Sequence, residues 1–142
     1  MIIRSCILVV SLVLSAQAFA NDYPDTTGTW KATLDGVKLQ KNLGSAEHNV
    51  NHTPAETGVY QGRELTMEIG GQDGFSFSGT KRSANAEEAF AGIFLHDNSH
   101  FKIIDFDGHS DCTVISTTEI RCDYVEINPV NSNLNRQVWI RE

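Results

Sequence analysis

The chain has 142 residues, with 18 acidic against 11 basic side chains and a net charge of −7. That length supports one domain and is too short for two of ordinary size, and a net negative chain is a poor partner for nucleic acid or an anionic membrane surface. Acidity of this degree suits a basic partner or a cation, and it is also the ordinary way in which a small protein stays soluble.

Residues 1–20, MIIRSCILVVSLVLSAQAFA, stand apart from the rest. Arg4 precedes an apolar run from Cys6 to Leu14, and Ala18-Phe19-Ala20 follows. A charged start, a short apolar middle and a small-residue end match a secretory signal peptide. The run is too short to span a bilayer comfortably, and Cys6 lies ahead of it rather than after it, which argues against lipid attachment. The expected division is a signal over 1–20 and a single domain over 21–142, with Asn21 as the mature start. Losing Arg4 leaves 10 basic residues against 18 acidic ones, a charge of −8. The expected location is periplasmic or extracellular, with no membrane association of the mature chain. Export leaves Cys112 and Cys122 in an oxidising compartment, where an even count reads as a disulfide.

Past the signal, the repeating feature is short period-two alternation broken by turn residues, the signature of strands. Trp30, Ala32 and Leu34 alternate with Thr29, Lys31 and Thr33. Leu65, Met67 and Ile69 alternate with Glu64, Thr66 and Glu68, and Gly70-Gly71-Gln72-Asp73-Gly74 predicts a turn. Phe75 and Phe77 alternate with Ser76 and Ser78. The stretch Phe90 to Leu95 is apolar on both faces, and Asp97-Asn98-Ser99 turns the chain. A strand over Phe101 to Phe106 is followed by the turn Asp107-Gly108. Strands over Cys112 to Ser116 and Ile120 to Ile127 flank the turn Thr117-Thr118-Glu119. With Thr117 at the centre of that turn, Cys112 and Cys122 lie opposite one another, within bridging distance. After the loop from Asn128 to Asn133, Leu134, Arg136, Val138 and Ile140 alternate with Gln137, Trp139 and Arg141. Eight strands joined mostly by tight turns predict an all-β antiparallel up-and-down meander, closed into a barrel that leaves no exposed edge.

One segment breaks the rhythm. Gln40 to Gly62, QKNLGSAEHNVNHTPAETGVYQG, is polar and long for a connection. It reads either as a lid over the barrel, with Val59-Tyr60 docking on it, or as an insertion with no role in the site. Asn51-His52-Thr53 is a glycosylation sequon in a eukaryotic source.

Gly28-x-Trp30 at the head of the first strand, eight meander strands and an Arg near the end of the last one resemble the calycin group of lipocalins, fatty-acid-binding proteins and avidins. The resemblance implies that Trp30 plugs the closed end of the barrel, with Arg136 or Arg141 packed over it. A guanidinium on an indole face contributes about 0.5–2 kcal/mol. TTGTW looks avidin-like, but avidins line their biotin site with several Trp residues, and Trp139 is the one other Trp here. The chain is also similar to small secreted bacterial proteins of unassigned role that share the Gly-x-Trp start, a Phe-Ser-Gly strand end and an Asp-x-Asp-Gly turn.

Residues that carry chemistry are sparse. His48 and His52 are four apart, as are His96 and His100, and His109 is a fifth. Metal-ligand spacing on a helix would put such a pair on one face, but neither pair lies in a helical pattern, and the expectation is surface or turn histidines with no metal. Asp105, Asp107 and Asp111 around Gly108 have the alternating acids of calcium loops but lack the distal Glu, so a solvated turn is expected. Ser76, Ser78 and Ser110 lack a nucleophile elbow. No paired carboxylates, phosphate loop or dinucleotide fingerprint appears. No catalytic residue and no cofactor is expected, and the protein is read as a non-enzyme.

The aromatic residues remain. Phe75 and Phe77 share a face, as do Phe90 and Phe94, and with Tyr60 they are the candidates for lining a ligand cavity. Eight-stranded barrels are either filled by side chains or hold one small ligand, and the alternation alone fits both. The functional expectation is non-catalytic binding of a small, mostly apolar molecule at the open end of the barrel, by analogy of fold. The alternative is a periplasmic protein-binding module, such as an inhibitor of a basic hydrolase drawn to the acidic surface.

Overall fold

A computed structural model describes residues 23–40, 56–128 and 131–142. Residues 1–20, read as a signal, the sequon and the pair His48 and His52 lie outside those residues.

The alternating runs form eight strands: β1 (Gly28–Gln40), β2 (Glu56–Asp73), β3 (Ser76–Arg82), β4 (Glu87–Phe94), β5 (His100–Ile104), β6 (Gly108–Ser116), β7 (Glu119–Ile127) and β8 (Asn131–Arg141). Each pairs antiparallel with its sequence neighbour, and β8 returns to β1 to close the barrel. The closing seam runs from Trp30 opposite Arg141 to Gln40 opposite Asn131, so no strand is left as an edge open to pairing with another chain. The short strand β5 shows the underlying logic: Phe101 and Ile103 are buried while His100, Lys102 and Ile104 are exposed. Each large apolar side chain turned inward contributes about 1.5–3 kcal/mol.

The barrel has two chemically distinct ends. At the plugged end, Trp30, Phe77, Phe94, Phe101, Ile120 and Trp139 belong to one continuous core cluster. Phe77 meets Phe101 edge-on at 5.3 Å, and Phe94 meets Phe101 at 5.4 Å, the separation range that aromatic quadrupoles favour. Cys112 and Cys122 are register partners on β6 and β7, and they form the disulfide. At the other end, where β3 turns into β4 and Asp107 precedes β6, most inward side chains are polar.

Two segments differ from the sequence expectation. The polar stretch up to Gly62 is not all loop, because β2 begins at Glu56 and runs on for 18 residues. Thr57 to Tyr60 pair with Leu39 to Gly36. The ladder is interrupted by a register shift between Leu34 and Gly36. Gly62, at φ 68°, takes the left-handed conformation there, and its N–H donates to Asp35 Oδ1 at 3.0 Å. Gly36 is needed for a different reason: a Cβ on it would lie 2.7 Å from the Tyr60 hydroxyl. Gly62, inside the segment read as loop, thus serves a bulge, and Gly36 a close approach. The second difference is the β2–β3 turn, which is confined to Gly74 and Phe75. Gly70 to Asp73 are strand.

Strand β8 turns its apolar alternation outward. Leu134, Val138 and Ile140 are exposed, while Asn135, Gln137 and Trp139 are buried. Trp139 pairs with Ala32 on β1 and Ile120 on β7. One indole set in the core fixes the face of every other residue on the strand, since side chains alternate with period two.

Candidate functional site: a polar cavity within the barrel

The residue pair expected at the plug is resolved in favour of Arg141. Its Cζ lies 5.0 Å from the Trp30 ring centroid. Its guanidinium donates to the carbonyls of Asp25, Thr27 and Thr117, tying the entry to β1 and the β6–β7 turn to the end of β8. Trp30 Nε1 donates to the Thr26 carbonyl at 2.9 Å. Arg136 sits on the outer face, exposed, 3.9 Å from Asp123. This end is closed and structural.

The cavity is at the opposite end and has a volume of about 1020 Å³. Of the five aromatic candidates, Tyr60 lines it. Phe77, Phe90 and Phe94 lie in the packed core, and Phe75 is exposed in the β2–β3 turn. The walls come instead from charged and amide side chains that point inward from the polar halves of the strands, with Leu34 and Leu65 as the apolar part.

One wall is a ladder of amides on β8. Trp139 Nε1 donates to Gln137 Oε1 at 3.0 Å. Gln137 Nε2 donates to Asn135 Oδ1 at 2.8 Å, and Asn135 Nδ2 donates to the Tyr60 hydroxyl at 3.2 Å. Alternation on the strand places these side chains in one inward row, so each reaches the next two residues on. The Arg63 guanidinium lies over the Tyr60 ring at 4.3 Å.

A second wall, running from β3 round to β7, is acidic, and it adjoins the ladder where Tyr124 pairs with Asn135 and Glu126 with Asn133. Lys81 on β3 forms an ion pair with Asp105, with side chains 9% and 0% exposed. The Lys81 ammonium also lies 4.8 Å from the Tyr124 ring, and the Gly108 N–H donates to Asp105 Oδ1 at 2.8 Å. Tyr124 donates to Asp107 at 3.3 Å, and Asn128 and Asn133 donate to Glu126. Glu88 on β4 completes the wall, with carboxylate oxygens of Glu88, Asp105 and Asp107 all within 4.8 Å of one another. Burial, then the charges of Asp105 and Asp107, push the Glu88 carboxyl above its ordinary value. The same causes drive the Tyr124 phenol far upward, so it stays a donor.

Four carboxylates here face one ammonium, a surplus of negative charge inside a wall of low dielectric. Lys81 already supplies the cation for Asp105. Glu88, Asp107 and Glu126 form no ion pair among the described residues and remain as an acceptor surface for a cationic group.

The sequence groups Asp105, Asp107 and Asp111 around one turn; the barrel keeps Asp105 and Asp107 together and separates Asp111 from them. Asp111 pairs with Lys102 on the outer face. Lys81, Glu88, Asn135 and Gln137 escape sequence reasoning; their signal, inward parity on their strands, becomes visible only once the inward face of each strand is fixed. His96, His100 and His109 are exposed, and none of them belongs to a potential metal-ligand cluster among the described residues. His100 is held instead by Asp97, whose carboxyl its backbone N–H holds down at about 2. No protein-family model and no curated protein matches the chain.

Proposed function

We propose that the protein is an exported, non-catalytic binding protein with a calycin-like barrel, holding one small polar molecule in the cavity. The observation that carries this reading is the cavity itself, a concave site of ligand size with several convergent polar groups from five strands and an apolar patch from Leu34 and Leu65. The calycin-like part is supported by the closed eight-strand meander and by Arg141 over Trp30. The Cys112–Cys122 bridge supports an oxidising compartment. The lining shifts the expected ligand from mostly apolar to polar, because an apolar guest would strip water from unpaired charges and leave them unsatisfied.

The test is native mass spectrometry of protein purified gently from its own secretory compartment, beside an Asn133→Trp variant that fills the rim. A small molecule carried by the natural protein and absent from the variant is the expected result. Equal retention by both proteins would place the ligand elsewhere. The surplus acidity of the same wall also favours a second reading, capture of a basic side chain of a partner protein. A salt-sensitive complex with a basic hydrolase that Asn133→Trp abolishes would select it.

A further inference from the structure

We infer that the cavity selects a zwitterion whose ammonium and carboxylate stand at opposite ends of a short, partly apolar body, as in a short peptide with both ends free. This rests on the small-ligand reading above and specifies its chemistry.

The amide ladder has one possible direction. An indole N–H only donates, so Gln137 must present its oxygen to Trp139. Its nitrogen then faces Asn135, which must accept. The Asn135 nitrogen in turn faces Tyr60, whose oxygen accepts. The Tyr60 proton is thus left over as a donor, and among the described residues it meets no acceptor. Asn135 and Gln137 are 6% and 3% exposed. Each spends one amide hydrogen in the ladder and keeps a second that meets no acceptor among the described residues. Arg63, beside Tyr60, has no carboxylate partner among them either. All four side chains line the cavity. The amide donors of Asn135 and Gln137, buried from water, want an anion or a strong acceptor; Tyr60 is half-buried and Arg63 exposed at the rim, and a chain of aligned hydrogen bonds polarises its terminal donor further.

The acceptor pole lies across the ring. In a closed eight-stranded order, β4 is four strands from β8, and β6 is four strands from β2. Glu88 on β4 thus faces the amide ladder of β8, and Asp107, just before β6, faces Tyr60 and Arg63 of β2. Glu88 accepts no hydrogen bond among the described residues. Leu34, opposite Arg63 on β2 and Gln137 on β8, and Leu65 set the apolar surface beside the donor pole. A ligand with a single charge satisfies one pole and leaves the other desolvated, which is how buried polar sites reject near-analogues.

The experiment is calorimetric titration of the oxidised protein with leucyl-leucine, its N-acetyl form, its C-terminal amide, the doubly blocked form, 6-aminohexanoate and an apolar fluorescent probe. The expected result is that the free dipeptide binds at least about tenfold more tightly than either singly blocked form. Tyr60→Phe is expected to erase the preference for the free carboxylate alone, and Glu88→Gln the preference for the free ammonium alone. A merely structural role for these residues would weaken all forms equally. Binding of 6-aminohexanoate as tight as the dipeptide supports the zwitterion and assigns no role to the peptide bond. If the amide binds as well as the free dipeptide, or the apolar probe alone binds, the zwitterion is overturned while the cavity reading survives. If nothing binds, both fall.

Discussion

At the scale of single residues, the buried Lys81–Asp105 pair is the contact on which the acidic wall depends. Lys81→Met would leave the Asp105 carboxylate, with no exposed side-chain surface, without its cation. The expected cost is about 3–5 kcal/mol, read from urea unfolding, and replacing Asp105 by Leu in the same chain should recover most of it. Glu88 behaves oppositely. Its folded value is raised, so its contribution to stability is present when it is protonated and is lost as pH rises through that raised value. Glu88→Gln is therefore expected to leave the melting temperature at pH 7 unchanged or higher, and to remove the gain that the natural protein shows on mild acidification. A clear drop in melting temperature at pH 7 would mean that Glu88 has a stabilising partner. A residue kept at some cost to stability is what a binding wall requires.

At the scale of elements, the strands are legible in the sequence wherever one face is apolar and the other polar, which holds along the plugged half of the barrel. Legibility fails where the interior itself is polar. Thr57 to Tyr60 read as loop because the part of β2 that they form carries no apolar stripe, although it completes a wall of the cavity. The alternation on β8 suggests Leu134, Val138 and Ile140 as the inward set, yet those are exposed and Asn135 and Gln137 are buried. Only the pairing of Trp139 between β1 and β7 reverses that choice, and pairing is not a local property. The aromatic run is legible as apolar and ambiguous as to role. Phe77, Phe90 and Phe94 pack on one another and on Phe101, so the same residues that suggest a cavity fill the barrel beneath it. The β6–β7 hairpin is legible down to the pairing of its cysteines. Replacing Cys112 and Cys122 together by Ser is expected to cost about 2–3 kcal/mol, since the bridge closes a loop of separation 10. An unchanged urea midpoint in reducing buffer would contradict this.

At the scale of the whole molecule, the barrel is half core and half vessel. The plugged half supplies the burial that stabilises the fold, and that allows the other half to carry unpaired donors and crowded carboxylates. The seam between β1 and β8 joins residues more than 90 positions apart, Gln40 and Asn131 being the nearest in sequence. Closure therefore comes late, after the local hairpins, and folding is expected in the slow range of all-β domains, milliseconds to seconds, with a single exponential in stopped-flow refolding of the oxidised chain. A faster phase carrying the full amplitude would show that the seam is not limiting.

The hydrogen-bonded row from Tyr60 to Trp139 also has an optical consequence. It connects the cavity rim to an indole in the core. The chain holds two tryptophans; Trp139 ends the row, whereas Trp30, in the same core cluster, lies under Arg141 and donates to the Thr26 carbonyl instead. Filling the site should therefore change the emission of one fluorophore and leave the other as an internal standard. The protein would report its own occupancy without a label, and Tyr60→Phe, which removes the hydroxyl proton offered to the guest, should silence the report.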